Sequence, residues 1–223
     1  MTPVVFDTVT KRYGSVVALD AVDLRIPVGG IHALAGANGS GKTTMLRLIA
    51  GLTDPTSGSV TRPATHIGYA FQDPNVYPAL SVRENLAVFG DLHDTSPPWT
   101  DRLLDVFRLE RVADRPATTL SAGYRKKLDL ALALVGEPSL LLLDEPLADV
   151  DDLTARNFVE FLTAYATDDR LVVLATHNLA AFADAIDRLT VVHDGSIVPT
   201  PTDADDVVAV YEEVINDRSL DPV

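Results

Sequence analysis

The sequence contains no cysteine, so no disulfide framework can staple it. It also lacks any run of 18 apolar residues; those at 130–135 and 140–143 are far too short to cross a bilayer. A basic segment followed by an apolar one is missing at the amino terminus, so export is not expected and the cytoplasm is the default compartment. Lysine is scarce as well. Only four of the 18 basic residues are Lys, whereas 25 of the 32 acidic residues are Asp, and the net charge is −14. That balance disfavours a generic nucleic-acid binder, because neutralising phosphates needs clustered cations. The one basic run, Arg125-Lys126-Lys127, reads as the solvated start of a helix, and no nucleic-acid partner is expected.

What is present suits a single folded domain over residues 1–223: 47% of the residues are hydrophobic and 22% charged. The preference for Asp and Arg over Glu and Lys is similar to that of salt-adapted proteins, whose acidic surfaces stay hydrated where the Debye length is about 3 Å.

Residues 4–13 and 16–26 alternate apolar with polar side chains around Gly14, which predicts two antiparallel strands. Residues 31–35 form a short apolar strand. It breaks into Gly36-Ala37-Asn38-Gly39-Ser40-Gly41-Lys42-Thr43-Thr44, and a helical pattern follows. A turn at 54–58 leads to a strand at 65–71. Ser81 with Glu84 forms a capping box that opens a helix through residue 92. Further helices are expected at 99–109 and from about Tyr124, so residues 73–122 read as a helical insertion. Strands then return at 139–143 and 171–175 around a helix at 152–166. A hairpin at 189–198 turns at Asp194-Gly195, and a helix at 204–216 lies within a carboxyl-terminal segment, 203–223. The expected fold class is α/β: a phosphate-loop core with a mostly parallel sheet, an amino-terminal antiparallel β-subdomain and an inserted α-helical subdomain.

Residues 36–43 match G-x-x-x-x-G-K-[ST], between a strand and a helix as the motif requires. Its glycines let successive N–H groups face a phosphate at a helix amino terminus, while Lys42 reaches the outer phosphates and Thr43 ligates Mg²⁺. Downstream, the apolar strand ends in Asp144-Glu145. There Asp144 suits the Mg²⁺ shell and Glu145 an attacking water. Together the two elements point to a nucleoside triphosphatase.

Leu120-Ser121-Ala122-Gly123-Tyr124 narrows the class. It resembles the LSGGQ signature of the ATP-binding cassette (ABC) family and stands at the spacing from Asp144 found in that family. The order Tyr13, Gln72, Asp151 and His177 also matches that family, and the resemblance runs from Val4 to about Val198. It implies a head-to-tail dimer enclosing two Mg·ATP. Tyr13 would stack on adenine, and Gly36, Ala37, Asn38, Gly39, Ser40, Gly41, Lys42, Thr43 and Thr44 would bind ATP. Thr43, Gln72 and Asp144 would hold Mg²⁺. Glu145 would be the general base, with Gln72 and His177 completing the catalytic set, and Ser121 and Gly123 would reach the γ-phosphate held by the other subunit.

Three residues depart from the family pattern. Ala122 stands for the first signature glycine, Tyr124 for Gln, and Ala148 for Ser. The resemblance further implies a subunit, paired with a copy of itself or a related subunit, that docks on a membrane permease through exposed side chains of residues 76–80 (Val76, Tyr77 and Leu80). The alternative is a soluble cassette ATPase of a process such as cofactor assembly.

Overall fold

β1 (Val4–Tyr13) and β2 (Val16–Ile26) form the expected antiparallel hairpin in the computed structural model, which describes residues 2–63, 66–199 and 206–218. Gly14, at φ 60°, makes its turn. The chain then enters β3 (Gly30–Ala35), the phosphate loop and α1 (Lys42–Ile49). Next comes β4 (Ser57–Thr61), a strand where the sequence suggests only a turn. Its Ser57, Gly58 and Ser59 do not favour a strand, yet pairing with β1 (Phe6 opposite Val60) imposes the conformation.

β5 (Ile67–Ala70) is shorter than the strand expected at 65–71. Thr65 lies outside the described residues. Phe71 leaves the sheet because its N–H donates to the Asp129 carboxylate at 3.0 Å instead of a ladder carbonyl. Residues 73–122 hold α2 (Val82–Leu92), α3 (Pro97–Val106) and two short 3₁₀ turns, with no strand longer than an isolated bridge among them. The Ser81–Glu84 capping box is formed. α3 starts earlier than expected, since Pro97 and Pro98 suit a first turn that needs no N–H donors. It stops where Arg108 takes a left-handed φ of 55°.

α4 (Ala122–Leu134) begins at the signature, with the Ser121 hydroxyl accepting from the Tyr124 N–H at 3.3 Å. The solvated start expected here is not found. Lys126 and Lys127 are 2% and 5% exposed, because polar partners on neighbouring loops draw both inward. β6 (Leu140–Asp144), α5 (Asp152–Tyr165), β7 (Leu171–Thr176), β8 (Arg188–His193), β9 (Ser196–Val198) and α6 (Val207–Arg218) follow. Residues 204 and 205, the expected start of the last helix, lie outside the described residues, as do 203 and 219–223.

Two sheets result. One is antiparallel, in the order β2-β1-β4; the other runs β5-β6-β7-β3-β8-β9 and is parallel except for β9. Side-chain alternation along the central strands fills both of its faces. Leu141, Leu143, Val172 and Leu174 pack against α4, α5 and the helical insertion. Leu140, Leu142, Leu171 and Val173 pack against α1, which the antiparallel sheet covers from outside with Phe6, Leu19 and Ile26. The carboxyl ends of β3, β5, β6 and β7 therefore open onto one edge, where ligands of open α/β sheets bind.

On β3, His32 is 4% exposed. Its Nε2 lies 2.8 Å from the Thr190 hydroxyl and its Nδ1 has no partner. Burial, aided by the nearby Arg188 charge, lowers its pKa to about 4. The unfolded chain thus takes up this proton near pH 6.5 and the folded chain only near 4. The neutral ring's contribution is complete above pH 6.5 and is lost as pH falls toward 4, by up to roughly 3 kcal/mol. The melting temperature of His32→Asn is expected to fall less than that of the parent between pH 7 and 4.5; parallel curves would exclude this source of acid sensitivity.

Candidate functional site

The loop between β3 and α1 is shaped by its glycines. A Cβ on Gly36 would stand 2.2 Å from the Val192 carbonyl oxygen, and one on Gly41, at φ 112°, 2.7 Å from that of Ala18. Only glycine fits either place. The loop thus closes tightly beneath the amino terminus of α1, whose first N–H groups have no intrahelical acceptor. Within it the Ser40 hydroxyl is buried without a hydrogen-bond partner, a polar atom left for a ligand to satisfy.

Lys42 folds back over the loop and donates to the Gly36 carbonyl at 2.7 Å and the Ala37 carbonyl at 3.0 Å. Burial lowers its pKa, opposed by Glu145 and Asp144. Thr43 donates its hydroxyl proton to Asp144 Oδ1 at 3.1 Å, joining the two motifs across the sheet. Asp144 is 1% exposed; burial raises its pKa and the Thr43 bond lowers it.

Glu145 is held more firmly than the sequence indicates. Its backbone takes a left-handed φ of 46°, with its N–H donating to the Ala175 carbonyl at 2.9 Å. That turn aims the carboxylate at the end of β7. There it accepts from the Thr176 hydroxyl at 3.2 Å and the His177 N–H at 3.1 Å, and it meets His177 Nδ1 at 2.9 Å. Its Oε1 also lies 4.0 Å from Lys42 Nζ. His177, expected in the catalytic set, is the partner of Glu145.

A cleft of about 360 Å³ gathers Asn38, Gly39, Ser40, Gly41, Lys42, Thr43 and Thr44 with Gln72, Glu145 and Val16. Tyr13 does not line it. It sits beside the rim, opposite Val16 in the hairpin, with Lys11 Nζ 5.0 Å above its ring. Ser121 and Gly123 do not line it either. Ser121 and Ala122 are exposed, and Gly123 packs so closely on the turn before α5 that a Cβ would meet the Asp149 oxygen at 2.5 Å. Asp151, closing that turn, caps α5 by accepting from Thr154 N–H at 3.0 Å, and pairs with Lys127. Three residues near the cleft escape a reading of the sequence: Thr176, Lys126 and Asp129. The last leaves a signal, as a lone acid inside the apolar run of α4.

No cluster of three or more His, Cys, Asp or Glu side chains suited to a metal occurs among the described residues. One carboxylate beside a hydroxyl at the phosphate loop fits Mg²⁺, which takes few protein ligands and shares the substrate's phosphates.

The protein-family profile described as ABC transporter matches residues 19–148. The chain is 39% identical over 218 residues to the sulfate/thiosulfate import ATP-binding protein CysA of Mycobacterium bovis, covering 90% of this chain and 62% of that protein. It thus spans about three fifths of that relative's length. It is 37% identical over 201 residues to an aliphatic sulfonates import ATP-binding protein, SsuB 1, of Mesorhizobium japonicum, covering 86% of this chain and 76% of that one. Among solved structures, a dimeric ATP-binding cassette in a post-hydrolysis state, bound to ADP and Pi, superposes with a TM-score of 0.80 at 26% identity, over 89% of this chain and 98% of its own. On its sequence, its sheet order and its phosphate loop alike, the chain belongs to the ABC transporter family of ATP-binding cassettes.

Proposed function

We propose that the chain is the ATP-hydrolysing subunit of a transporter, working as a head-to-tail dimer beneath a separate membrane permease. The observation that carries this is the convergence of Lys42, the Thr43–Asp144 pair and the His177-held Glu145 on one cleft at the sheet's carboxyl edge. The loop N–H groups and Lys42 bind and orient the triphosphate. Mg²⁺, held by Thr43, Asp144 and Gln72, would supply charge neutralisation of the transferring phosphoryl group. Glu145 accepts a proton from the attacking water at its carboxylate, and Thr176 and His177 keep that carboxylate pointed inward.

In this reading Ser121 and Gly123, which do not line the cleft beside Lys42, complete the site of a partner copy. Residues 73–122 act as an inserted helical subdomain of one ATPase domain, and the acidic composition suits a protein working in concentrated salt.

No helix among the described residues is long and apolar enough to cross a membrane; in this reading the permease is a different chain. Its dock is the turn before α2. The buried Asn85 side chain knits that turn, accepting from the Tyr77 N–H at 2.8 Å and donating to the Tyr77, Leu80 and Ser81 carbonyls. Of the side chains expected to be exposed there, only Tyr77 is, at 49%, with Val88 and Leu92 of α2 also exposed; Val76 and Leu80 are half-buried, Val76 because it packs against the core. In cells of the source organism the chain is expected in the membrane fraction, held at the cytoplasmic face. Tyr77→Asp is expected to shift it to the soluble fraction. A parent chain recovered wholly as soluble protein would overturn the transport reading.

A further inference from the structure

On one turn of α4 the chain buries two opposite charges. Lys126 and Asp129 are each 2% exposed and, three residues apart, share a face of the helix. No ion pair joins them among the described residues; both turn instead to main-chain groups of the loop that carries Gln72. Lys126 Nζ donates to the Phe71 carbonyl at 2.6 Å, to the Asp144 carbonyl at 3.1 Å and more distantly to the Gln72 carbonyl at 3.4 Å. Asp129 accepts from the Phe71 N–H with one carboxylate oxygen and from the Asn75 N–H, at 2.9 Å, with the other. Phe71 is thereby held at both its N–H and its carbonyl, and the loop is pinned on both sides of Gln72.

Two arguments set this pair apart from ordinary packing. First, burying a charge costs free energy that apolar residues of similar size avoid, so stability alone would favour a Leu or Met at each place. Second, the chain uses lysine only four times against fourteen arginines. All four ammonium groups have specific partners: Lys11 donates to Thr53 and the Asp54 carbonyl, Lys42 to the phosphate loop, Lys127 to Asp151, and Lys126 to this loop. A compact ammonium with three donors suits three converging carbonyls, where the planar fork of an arginine does not.

We propose that Lys126 and Asp129 are positioning residues for Gln72. They fix the backbone that presents it and, through the Asp144 carbonyl, tie that backbone to the carboxylates at the end of β6. Ser121 caps α4, so a displacement of the signature end of the helix is passed to Gln72 relative to Asp144 without passing through the nucleotide. This rests on the reading of Gln72 and Glu145 given above.

Either single truncation would strand the other charge in the interior, so the test uses the double variant Lys126→Met/Asp129→Leu, which buries no charge. Its melting temperature is expected at or above that of the parent. Deuterium uptake by peptides covering residues 71–75 is expected to quicken by about tenfold or more. The kcat for Mg·ATP is expected to fall by at least about tenfold while KM stays within about twofold, because displacement by roughly 1 Å costs rate more than ground-state binding. Asp129→Asn, which keeps one acceptor oxygen, is expected to fall between the two. Unchanged exchange at 71–75 would overturn the grip, and faster exchange with unchanged kcat, or a loss confined to KM, would overturn the positioning role. A Glu145→Gln control separates the two readings: if it turns over ATP like the parent, the site assignment fails, and exchange at 71–75 still decides whether the grip exists.

Discussion

Glu145→Gln is expected to bind ATP with the affinity of the parent and to release phosphate at least about 100-fold more slowly, since a positioned general base contributes on the order of 10²–10⁴ in rate. Glutamine matches the shape of glutamate. It keeps one side-chain oxygen that can accept from the Thr176 hydroxyl or the His177 N–H, so the end of β7 should hold it in place. What it cannot do is take a proton from water. Because the backbone at 145 already sits at a left-handed φ of 46° with its N–H bonded to Ala175, the substitution leaves that geometry untouched. Binding intact and turnover lost, the ATP-bound dimer should accumulate, visible on size exclusion with ATP and absent with ADP. Phosphate release at the parental rate, or a variant that stays monomeric with ATP, would each count against the assignment.

Much of this site is legible in the sequence because phosphate chemistry is local along the chain. Gly36, Gly41, Lys42 and Thr43 act through one loop and one helix terminus, so their spacing alone specifies the geometry. Asp144 and Glu145 are legible for a related reason: a buried strand has to deliver them to the sheet's edge. Residues defined by distant neighbours are not legible in this way. Lys126 and Asp129 gain their roles largely from main-chain groups of residues 71–75, more than fifty positions away; as letters Lys126 reads as a solvated helix charge, and Asp129 shows only that an acid interrupts an apolar run. β4 is hidden for the same reason, since Ser57 and Gly58 become a strand only when β1 offers an edge. The partnership of His177 with Glu145 depends on β6 and β7 lying side by side, which the order of motifs does not state. Ser121 and Gly123 are legible as a motif, yet they do not line the cleft that Lys42 and Glu145 share.

Lys42→Met is expected to lose nucleotide affinity by at least roughly 100-fold while keeping the fold, since hydrogen bonds to a charged donor are among the strongest single contacts to a phosphate. The choice of methionine is deliberate. The Lys42 residue is only 6% exposed, so truncation to alanine would open a cavity as well as remove a charge, whereas methionine refills the stem. Before any ligand arrives the ammonium is occupied by the Gly36 and Ala37 carbonyls, and burial lowers its pKa. The charge is therefore held at a cost the apo protein does not need, and removing it should leave the melting temperature within a few degrees of the parent or raise it. In a chain of net charge −14 the surrounding field repels a triphosphate, so few other groups can compensate for the loss. Calorimetry of ATP binding to the parent and to Lys42→Met, paired with their melting curves, separates the outcomes. Weak binding with an intact melt supports the phosphate cradle. Undiminished affinity would mean that the loop N–H groups alone hold the nucleotide, or that the nucleotide binds elsewhere.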